Sequence, residues 1–413
     1  MADRQISNQQ SADRRSADWQ TEGSARFQVG DAFFRESSRI GRDLAVLAAI
    51  AYKAQTHRLR VLDAMTGCGV RPLRYVLEAK ADYVWANEGN PDLHDQLSAN
   101  LHTLASTLAT DELPPARYQI THQDANTVFF DCHQRQDFYD LIDIDSFGSP
   151  MPHLSTALWA IKLGGLLYLA STDGRATSGR APSKSLRTYG AYARSHPAPH
   201  EQGLRLLLGQ IAQQAAARDL HAAPIFAYHH GEVNRVMVRI SRPHAGARWT
   251  LDAYGFIAYC YHCGHFQTVP WKKIGRVACP CGAEQTPVVS GPMWLGPLHN
   301  IEYLAKMQKI AQTCSSVSSN CQPLLETMQA ESMLPPYYYP LAEIGRRGRM
   351  DIPPRDQLIH QLQASGFAAT RTHLSAQAIK TTAPMAMCLD IAKQLDVAKQ
   401  REPEVSQQSA LPE

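Results

Sequence analysis

The residues best suited to chemistry are Asp145 and Phe147, which end an apolar run in residues 139–150, YDLIDIDSFGSP. A buried strand of a parallel sheet delivers the residues after it to the carboxyl edge, where α/β sheets bind ligands. There, an aromatic ring can stack on a planar base while a carboxylate accepts a hydrogen bond from the exocyclic amine of that base. The pattern predicts base-directed chemistry. The alternative interpretation is a strand end whose acid caps the next helix.

An earlier strand and turn have the form of a nucleoside-binding unit. Residues 60–75 read RVLDAMTGCGVRPLRY, in which Gly67 and Gly69 let the backbone approach a ligand and the following helix offers free N–H groups. The next strand ends at Glu88, where an acid can hold the two hydroxyls of a ribose. This order predicts a Rossmann-like α/β fold, which suits NAD and S-adenosylmethionine alike.

Two features favour S-adenosylmethionine as the cofactor. Pro72 stands near the place where dinucleotide sites have a third glycine. The third predicted strand, residues 117–121, is followed by Asp124 and Ala125, whose carboxylate and backbone can contact an adenine edge. Asp124 is also a good helix N-cap, and that alternative stays open.

Size and composition limit the class of protein. A chain of 413 residues is too long for one ordinary core, so we expect two or three domains. The net charge of +3 does not by itself indicate a nucleic-acid partner. The longest apolar runs, residues 44–52 and 163–170, are too short to cross a bilayer, and no signal sequence opens the chain. We therefore expect a cytoplasmic protein with no membrane association.

Composition and patterning divide the chain into four parts. We expect a methyltransferase domain followed by a smaller α+β domain with a zinc-binding module, flanked by polar tails. The predicted bounds are 1–24 for a disordered tail, 25–240 for the methyltransferase domain, 241–390 for a C-terminal nucleic-acid-binding domain that includes the zinc module at 255–290, and 391–413 for a flexible tail.

Four of the nine cysteines form two close pairs, Cys260 with Cys263 and Cys279 with Cys281. Pairs at this separation can place four thiolates around Zn²⁺, and a zinc with four protein ligands is structural. The second pair is unusually close. The alternative ligands are therefore His262 or His265 in place of one sulfur.

A basic region follows the tyrosines at 337–339. Cations beside aromatic rings can contact phosphates and stack on exposed bases, although a solvated basic helix explains the same run. The candidate nucleic-acid-binding residues are Arg346, Arg347, Arg349, Arg371 and Lys380.

Taken together, these motifs resemble the tRNA (guanine-26, N2)-dimethyltransferase family over roughly residues 33–385. The matching stretches are 41–44, 63–75, 143–150, 189–190, 200–207, the cysteine cluster leading to 291–294, 335–339 and 370–384. The resemblance implies an enzyme that transfers one or two methyl groups from S-adenosylmethionine to N2 of guanosine 26 of tRNA, or also to a neighbouring guanosine. It implies tRNA as the partner, with no obligatory protein partner.

The resemblance also implies roles for individual residues. Arg42 and Arg71 would hold the carboxylate end of S-adenosylmethionine. Asp145 would be the catalytic carboxylate, and Phe147 would stack on the flipped base. The remaining donor-site residues would be Asp63, Gly67 and Gly69 of the glycine turn, Glu88 at the ribose, and Asp124 with Ala125 at the adenine.

Ser146 replaces the proline of the family signature, Asp-Pro-Phe-Gly, and we expect this change to loosen the turn. Two other functions stay open on the sequence alone. One is a related methyltransferase acting on another amine, such as adenine N6 in DNA or guanine N2 in ribosomal RNA. The other is a tRNA-binding protein without catalysis.

Overall fold

The computed structural model describes residues 19–107, 117–243 and 253–406. The described chain opens with a hairpin of β1 (Trp19–Glu22) and β2 (Ala25–Gln28). A 3₁₀ turn (Glu36–Ser38) then leads into α1 (Arg39–Thr56). One face of α1 is apolar, with Leu44 and Leu47 fully buried, so α1 packs as the helical spacing predicts.

The centre of the molecule is a seven-stranded sheet in the order β5-β4-β3-β6-β7-β9-β8. Strands β3 to β7 are parallel, and β9 pairs antiparallel with both β7 and β8. Its strands are β3 (Arg60–Asp63), β4 (Tyr83–Asn87), β5 (Arg117–Thr121), β6 (Tyr139–Asp145), β7 (Ile161–Ser171), β8 (His221–His230) and β9 (Val233–Ser241). The Rossmann-like α/β sheet predicted from the glycine turn is confirmed.

Helices connect the strands and cover both faces of the sheet. They are α2 (Val70–Leu77), α3 (His94–Thr107, after a 3₁₀ turn at Pro91–Leu93), α4 (Ala125–Gln134), α5 (Met151–Ala160), α6 (Gly174–Thr177), α7 (Pro182–Tyr189) and α8 (Pro199–Ala216). Strand β6 lies between β3 and β7, with helices on both faces of the sheet, and Leu141, Ile142 and Ile144 are all fully buried. Burial on both faces explains why apolar residues occur on both faces of this strand.

Two small antiparallel sheets and five helices follow. The first sheet contains β10 (Tyr254–Tyr259), β11 (Phe266–Val269) and β12 (Val288–Trp294), with a 3₁₀ helix at Trp271–Arg276. Next come α9 (Ile301–Thr313) and α10 (Cys321–Glu331). The last elements are β13 (Tyr339–Pro340), α11 (Leu341–Gly348), α12 (Arg355–Ala364), β14 (Ala369–Thr372), β15 (Ser375–Thr381) and α13 (Met385–Ser406).

Two of these helices pack on the methyltransferase core, although the sequence places them in the C-terminal domain. The Tyr303 hydroxyl of α9 donates to the Ala48 carbonyl at 2.9 Å, and the Ser318 N–H donates to Asp43 at 2.9 Å. The division at residue 240 therefore stays a prediction. In the described part of the chain, no helix is both long and apolar enough to cross a membrane.

The predicted tail bounds are wrong where the tails meet the fold. Residues 19–22 form β1, and Glu22 at its end is buried among arginines. Residues 1–18 of the predicted tail lie outside the described residues. At the other end α13 continues to residue 406, and Ile391 and Ala392 are buried. Apolar contacts of its first turns thus extend order past the predicted bound at 391.

Glu22 joins the hairpin to the core through charge. It accepts hydrogen bonds from Nε of Arg42 at 2.7 Å and from Nη1 of Arg74 at 2.8 Å. Burial alone would raise the pKa of Glu22, but hydrogen bonds and charge from Arg42 and then Arg74 outweigh it and lower the pKa. A depressed carboxyl pKa stabilises the fold above the unfolded pKa, and this stability is lost as pH falls through the folded pKa.

We therefore expect Glu22→Gln to destabilise the protein by about 3 kcal/mol at pH 7, because buried Arg42 loses its anion and Arg74 keeps only Asp43 and Glu78. Chemical denaturation measures this effect. The difference from the wild type should shrink in acid, as the wild-type carboxyl protonates. The exposed Glu36 provides the control, and Glu36→Gln should leave the denaturation midpoint in place. Equal midpoints for Glu22→Gln and wild type at pH 7 would contradict the assigned role.

Candidate active site and cysteine cluster

A cleft of about 610 Å³ opens at the carboxyl edge of the central sheet, where β3, β4 and β6 end. Ligand pockets in proteins commonly have this size. The predicted site residues that line it are Arg42, Gly67, Arg71, Glu88, Asp145 and Phe147. The cleft also contains residues that the sequence did not single out, chiefly Phe33 and Arg235.

Asp145 is held by two nearly buried arginines. Nη2 of Arg71 forms a close ion pair with Oδ2 of Asp145, and Nη2 of Arg235 lies 3.4 Å from the same oxygen. No hydrogen bond from another described residue to Oδ1 is found. The arrangement keeps the carboxylate ionised and oriented, and it leaves one oxygen for a ligand in the cleft.

The arginine pair rests on further acids below the cleft floor. Nε of Arg71 lies 3.6 Å from Asp143, which also accepts a 2.7 Å hydrogen bond from the Tyr75 hydroxyl. Asp63 is fully buried and accepts from the Thr66 hydroxyl at 2.9 Å. Burial, and then the negative charge of Asp143, raise the pKa of Asp63. Asp63 therefore supports the glycine turn from below and does not line the cleft.

Hydrogen bonds with Thr172 hold the turn that follows Asp145. The Gly148 N–H donates to the Thr172 hydroxyl at 2.8 Å, and the Thr172 N–H donates to the Gly148 carbonyl at 2.8 Å. Ser146 lines the cleft, and its hydroxyl is buried with no hydrogen-bond partner among the described residues. Thr172 thus restrains the turn that we expected Ser146 to loosen.

Two exposed phenylalanines flank the entrance of the cleft. Phe33 and Phe147 are 55% and 74% exposed, and their rings meet edge to face at 4.8 Å between centroids. The Arg35 guanidinium lies over Phe33, 5.1 Å from the ring centroid. Exposed aromatic rings at a polar cleft are suited to stacking on a base. The sequence signal for Phe33 was an aromatic pair, residues 33–34, directly before α1.

Several predicted donor-site residues lie together in the cleft. Oε2 of Glu88 accepts from the Gly67 N–H at 2.8 Å, which joins the glycine turn to the end of β4. Arg42 lines the same cleft, although its guanidinium pairs with Glu22. Gly69 has φ +86° and precedes α2, so it provides the left-handed backbone that this turn requires.

Asp124 and Ala125 are placed differently from the prediction. The Asp124 side chain is exposed and accepts from the Asn126 N–H at 2.9 Å, which makes it the N-cap of α4. Neither residue is among those that line the cleft. The N-cap alternative is confirmed, and contact of these two residues with an adenine stays a prediction.

The four predicted cysteines converge. Their sulfur atoms all lie within 4.8 Å of one another, with 3.8 Å between Cys260 and Cys281 and 3.4 Å between Cys263 and Cys279. Thiolates about 2.3 Å from one tetrahedral Zn²⁺ would be about 3.8 Å apart, so the spacing fits a metal site. Neither His262 nor His265 belongs to this group. The cluster joins β10 to β11 and the loop before β12.

The basic residues predicted to bind tRNA fall into two groups. Arg346, Arg349 and Arg371 are exposed. Arg346 pairs with Glu343, and Arg371 pairs with Asp356.

The other two were assigned wrongly, because they are structural. Lys380 is buried and donates to Glu201 at 2.7 Å. The Arg347 side chain is mostly buried, and it donates to the carbonyls of His262 and Tyr261 at 2.7 and 2.9 Å.

A second cluster, His299, Glu331 and His373, also places possible metal ligands together. The Ala227 N–H points at Nδ1 of His299 at 3.4 Å, so the ring proton of neutral His299 belongs on Nε2. That nitrogen lies 3.5 Å from Glu331, which also contacts His373 closely. A protonated nitrogen is not a metal ligand, so we do not assign a metal to this cluster.

The fold and the site define the class of the protein. A Rossmann-like sheet with a glycine turn after β3, an acid after β4 and an acid followed by an aromatic residue after β6 is the arrangement of S-adenosylmethionine-dependent methyltransferases. Residues 17–393 match the family model described as N2,N2-dimethylguanosine tRNA methyltransferase. The chain belongs to this family.

Individual relatives agree with the family match over most of their length. A tRNA (guanine(26)-N(2))-dimethyltransferase from Pyrococcus horikoshii is 30% identical over 369 residues, 88% of this chain and 92% of that protein. A tRNA (guanine(26)-N(2)/guanine(27)-N(2))-dimethyltransferase from Aquifex aeolicus is 27% identical, covering 84% and 86%. The solved structure of Trm1 from Pyrococcus horikoshii with S-adenosyl-L-methionine has a TM-score of 0.78 at 29% identity, covering 91% of this chain and 99% of that chain.

Proposed function

We propose that this protein transfers methyl groups from S-adenosylmethionine to the exocyclic N2 of guanosine 26 in tRNA. The observation that supports this most directly is Asp145, held by two arginines with one oxygen directed to no described partner. That geometry suits an amine, because the amine can donate its N–H to the oriented carboxylate. The donor supplies an electrophilic methyl group on a sulfonium.

The reaction needs orientation and charge stabilisation more than a strong base. The lone pair of a guanine amine is delocalised into the ring, so the amine must be turned in line with the methyl group. Asp145, accepting one N–H bond, holds that orientation and stabilises the positive charge that grows on N2. The new N–C bond forms as the S–C bond breaks. The methylated nitrogen then releases a proton, which needs no strong base because that nitrogen has become acidic.

The entrance aromatics fit the same substrate. We infer that the target base lies against Phe147, with Phe33 as the neighbouring wall. The target base must leave the helical stack of the tRNA, which costs a few kcal/mol. Stacking of the base on protein rings offsets this cost. The donor would lie on the other side of Asp145, along the Gly67 turn with its ribose at Glu88.

We further propose that Cys260, Cys263, Cys279 and Cys281 hold a structural Zn²⁺. Four sulfur donors leave no open position for a substrate, so the metal would shape the small sheet and take no part in methyl transfer. We also propose that the methyltransferase domain ends near residue 240 and that the protein is cytoplasmic.

The deciding experiment is methyl transfer to an unmodified tRNA transcript. With tritiated S-adenosylmethionine, nucleoside analysis should find N2-methylguanosine and N2,N2-dimethylguanosine, and a transcript with adenosine at position 26 should accept no label there. The ratio of the two products measures whether a second methyl group is added. Label at guanosine 27 would extend the substrate. Label only on another base, or none with tRNA still bound, would contradict the proposal and support one of the two alternative functions.

A further inference from the structure

The segment that follows β7 is basic and exposed. Arg175, Arg180, Arg187 and Arg194 are all exposed, and none has an ion pair with another described residue. No aspartate or glutamate occurs between residues 174 and 200. We call residues 174–195 the basic surface. The only cation there with an ion pair is Lys184, which contacts the buried Asp173 at 2.7 Å in the described structure.

The backbone of this surface crosses itself at Gly179, which brings two of the arginines together. Gly179 has φ +82°, and a Cβ atom there would lie 2.2 Å from the carbonyl carbon of Arg194. Only glycine permits this approach. The crossing brings the backbone of Arg180, the next residue, near the backbone of Arg194, so both arginines belong to one part of the surface although they are 14 residues apart in sequence.

The position of the basic surface links it to the site. At one end, Thr172 is hydrogen-bonded to Gly148 of the catalytic turn. At the other end, the Tyr192 N–H donates to the Gly291 carbonyl at 2.8 Å, and the Tyr261 hydroxyl donates to the Ser195 carbonyl at 2.5 Å. The surface thus runs from the catalytic turn to the cysteine cluster on a backbone fixed at both ends.

We propose that the basic surface binds the phosphate backbone of the tRNA beside the target nucleotide. This inference rests on the proposed function. The surface begins two residues after Thr172, which lines the cleft, and its unpaired guanidiniums are free to bind phosphates in bidentate fashion. Exposed Tyr192 and Leu186 lie between them in sequence and offer apolar contact to riboses or unstacked bases. We assign tRNA binding to this surface in place of Lys380 and Arg347, because the cationic groups of those two residues are hydrogen-bonded inside the protein.

The test is a double variant, Arg175→Ala/Arg187→Ala, with tRNA binding measured across a salt series. We expect a tRNA affinity about tenfold weaker, and a salt slope reduced by about one for each lost phosphate contact. The affinity for S-adenosylmethionine, measured by calorimetry, should equal that of the wild type. Both side chains are exposed, so their removal leaves the core packing intact.

The matched control is Arg58→Ala/Arg242→Ala. Both residues are exposed arginines at the opposite, amino edge of the sheet, before β3 and after β9. This control should bind tRNA as the wild type does. A test variant with wild-type affinity and salt slope would overturn the proposal, and so would an equal loss in the control. Failure of the proposed function would appear separately, as wild-type protein that transfers no methyl group to guanosine N2.

Discussion

Replacement of Asp145 by alanine should lower the rate of methyl transfer about 1,000-fold, since loss of one oriented group at a growing charge has an effect of this size. The substitution removes the acceptor for the target amine. It also leaves Arg235 without its ion-pair partner among the described residues, and Arg71 with only Asp143, beside a reaction that develops positive charge on nitrogen. Single-turnover kinetics with saturating donor and tRNA measures the effect on the chemical step alone.

Two comparisons separate this role from a structural one. Asp145→Asn keeps the size of the side chain and one carbonyl oxygen, so it should retain more activity than alanine but far less than the wild type. Affinities for tRNA and S-adenosylmethionine should persist in both variants, because the chemistry at N2 is what they lose. Asp95 is an exposed acid on α3, and Asp95→Ala should react at the wild-type rate. Wild-type turnover in Asp145→Ala would remove Asp145 from the mechanism.

The parts of this fold that the sequence predicts are those determined by local pattern. Strand β6 can be recognised because a strand covered on both faces carries apolar residues on both, and the sharp turn before α2 requires Gly69. The cysteine cluster can be recognised in the sequence because short loops keep each pair of ligands close. In each case the signal and the structure lie within a few residues of one another.

The parts that the sequence misjudges depend on partners far along the chain. Lys380 looks like a phosphate contact until Glu201, 179 residues away, is placed against it. Arg347 pairs with Glu343 one helical turn away, but it also donates to the His262 carbonyl, 85 residues away. Spacing can reveal the contact with Glu343 but not the contacts with Glu201 and His262, which hold these cations inside the protein.

Arg235 was missed for the related reason that its acid, Asp145, is 90 residues distant. Its only local signal is a charged residue near the start of an apolar strand, β9. That strand runs antiparallel to its neighbours, so its first residues reach the carboxyl edge of the parallel strands, where the cleft lies.

The cysteine cluster gives the second large expected effect. We expect Cys260→Ser to lose its zinc and to raise amide exchange in residues 254–294 about 100-fold, since a structural metal contributes folding free energy to its domain. One side of this sheet has a small apolar cluster, with Phe256, Ala258 and Val269 as its buried members, while Ile257, Tyr259 and Met293 belong to the main core. So small a cluster does not hold the loops that carry the cysteines in place without a metal. Zinc content by mass spectrometry and hydrogen exchange by peptide are the measurements.

The same experiment tests whether the metal matters beyond its own sheet. Tyr261 bonds to Ser195 of the basic surface, and Arg347 bonds to Tyr261, so unfolding here should release one end of that surface and weaken tRNA binding. Amide protection of β6, by contrast, should stay unchanged. Cys314 is a half-buried thiol outside the cluster, and Cys314→Ser should keep its zinc. A Cys260→Ser protein with full zinc and native exchange would show that the four sulfurs do not hold the metal. Lost zinc with unchanged tRNA affinity would separate the cluster from substrate binding.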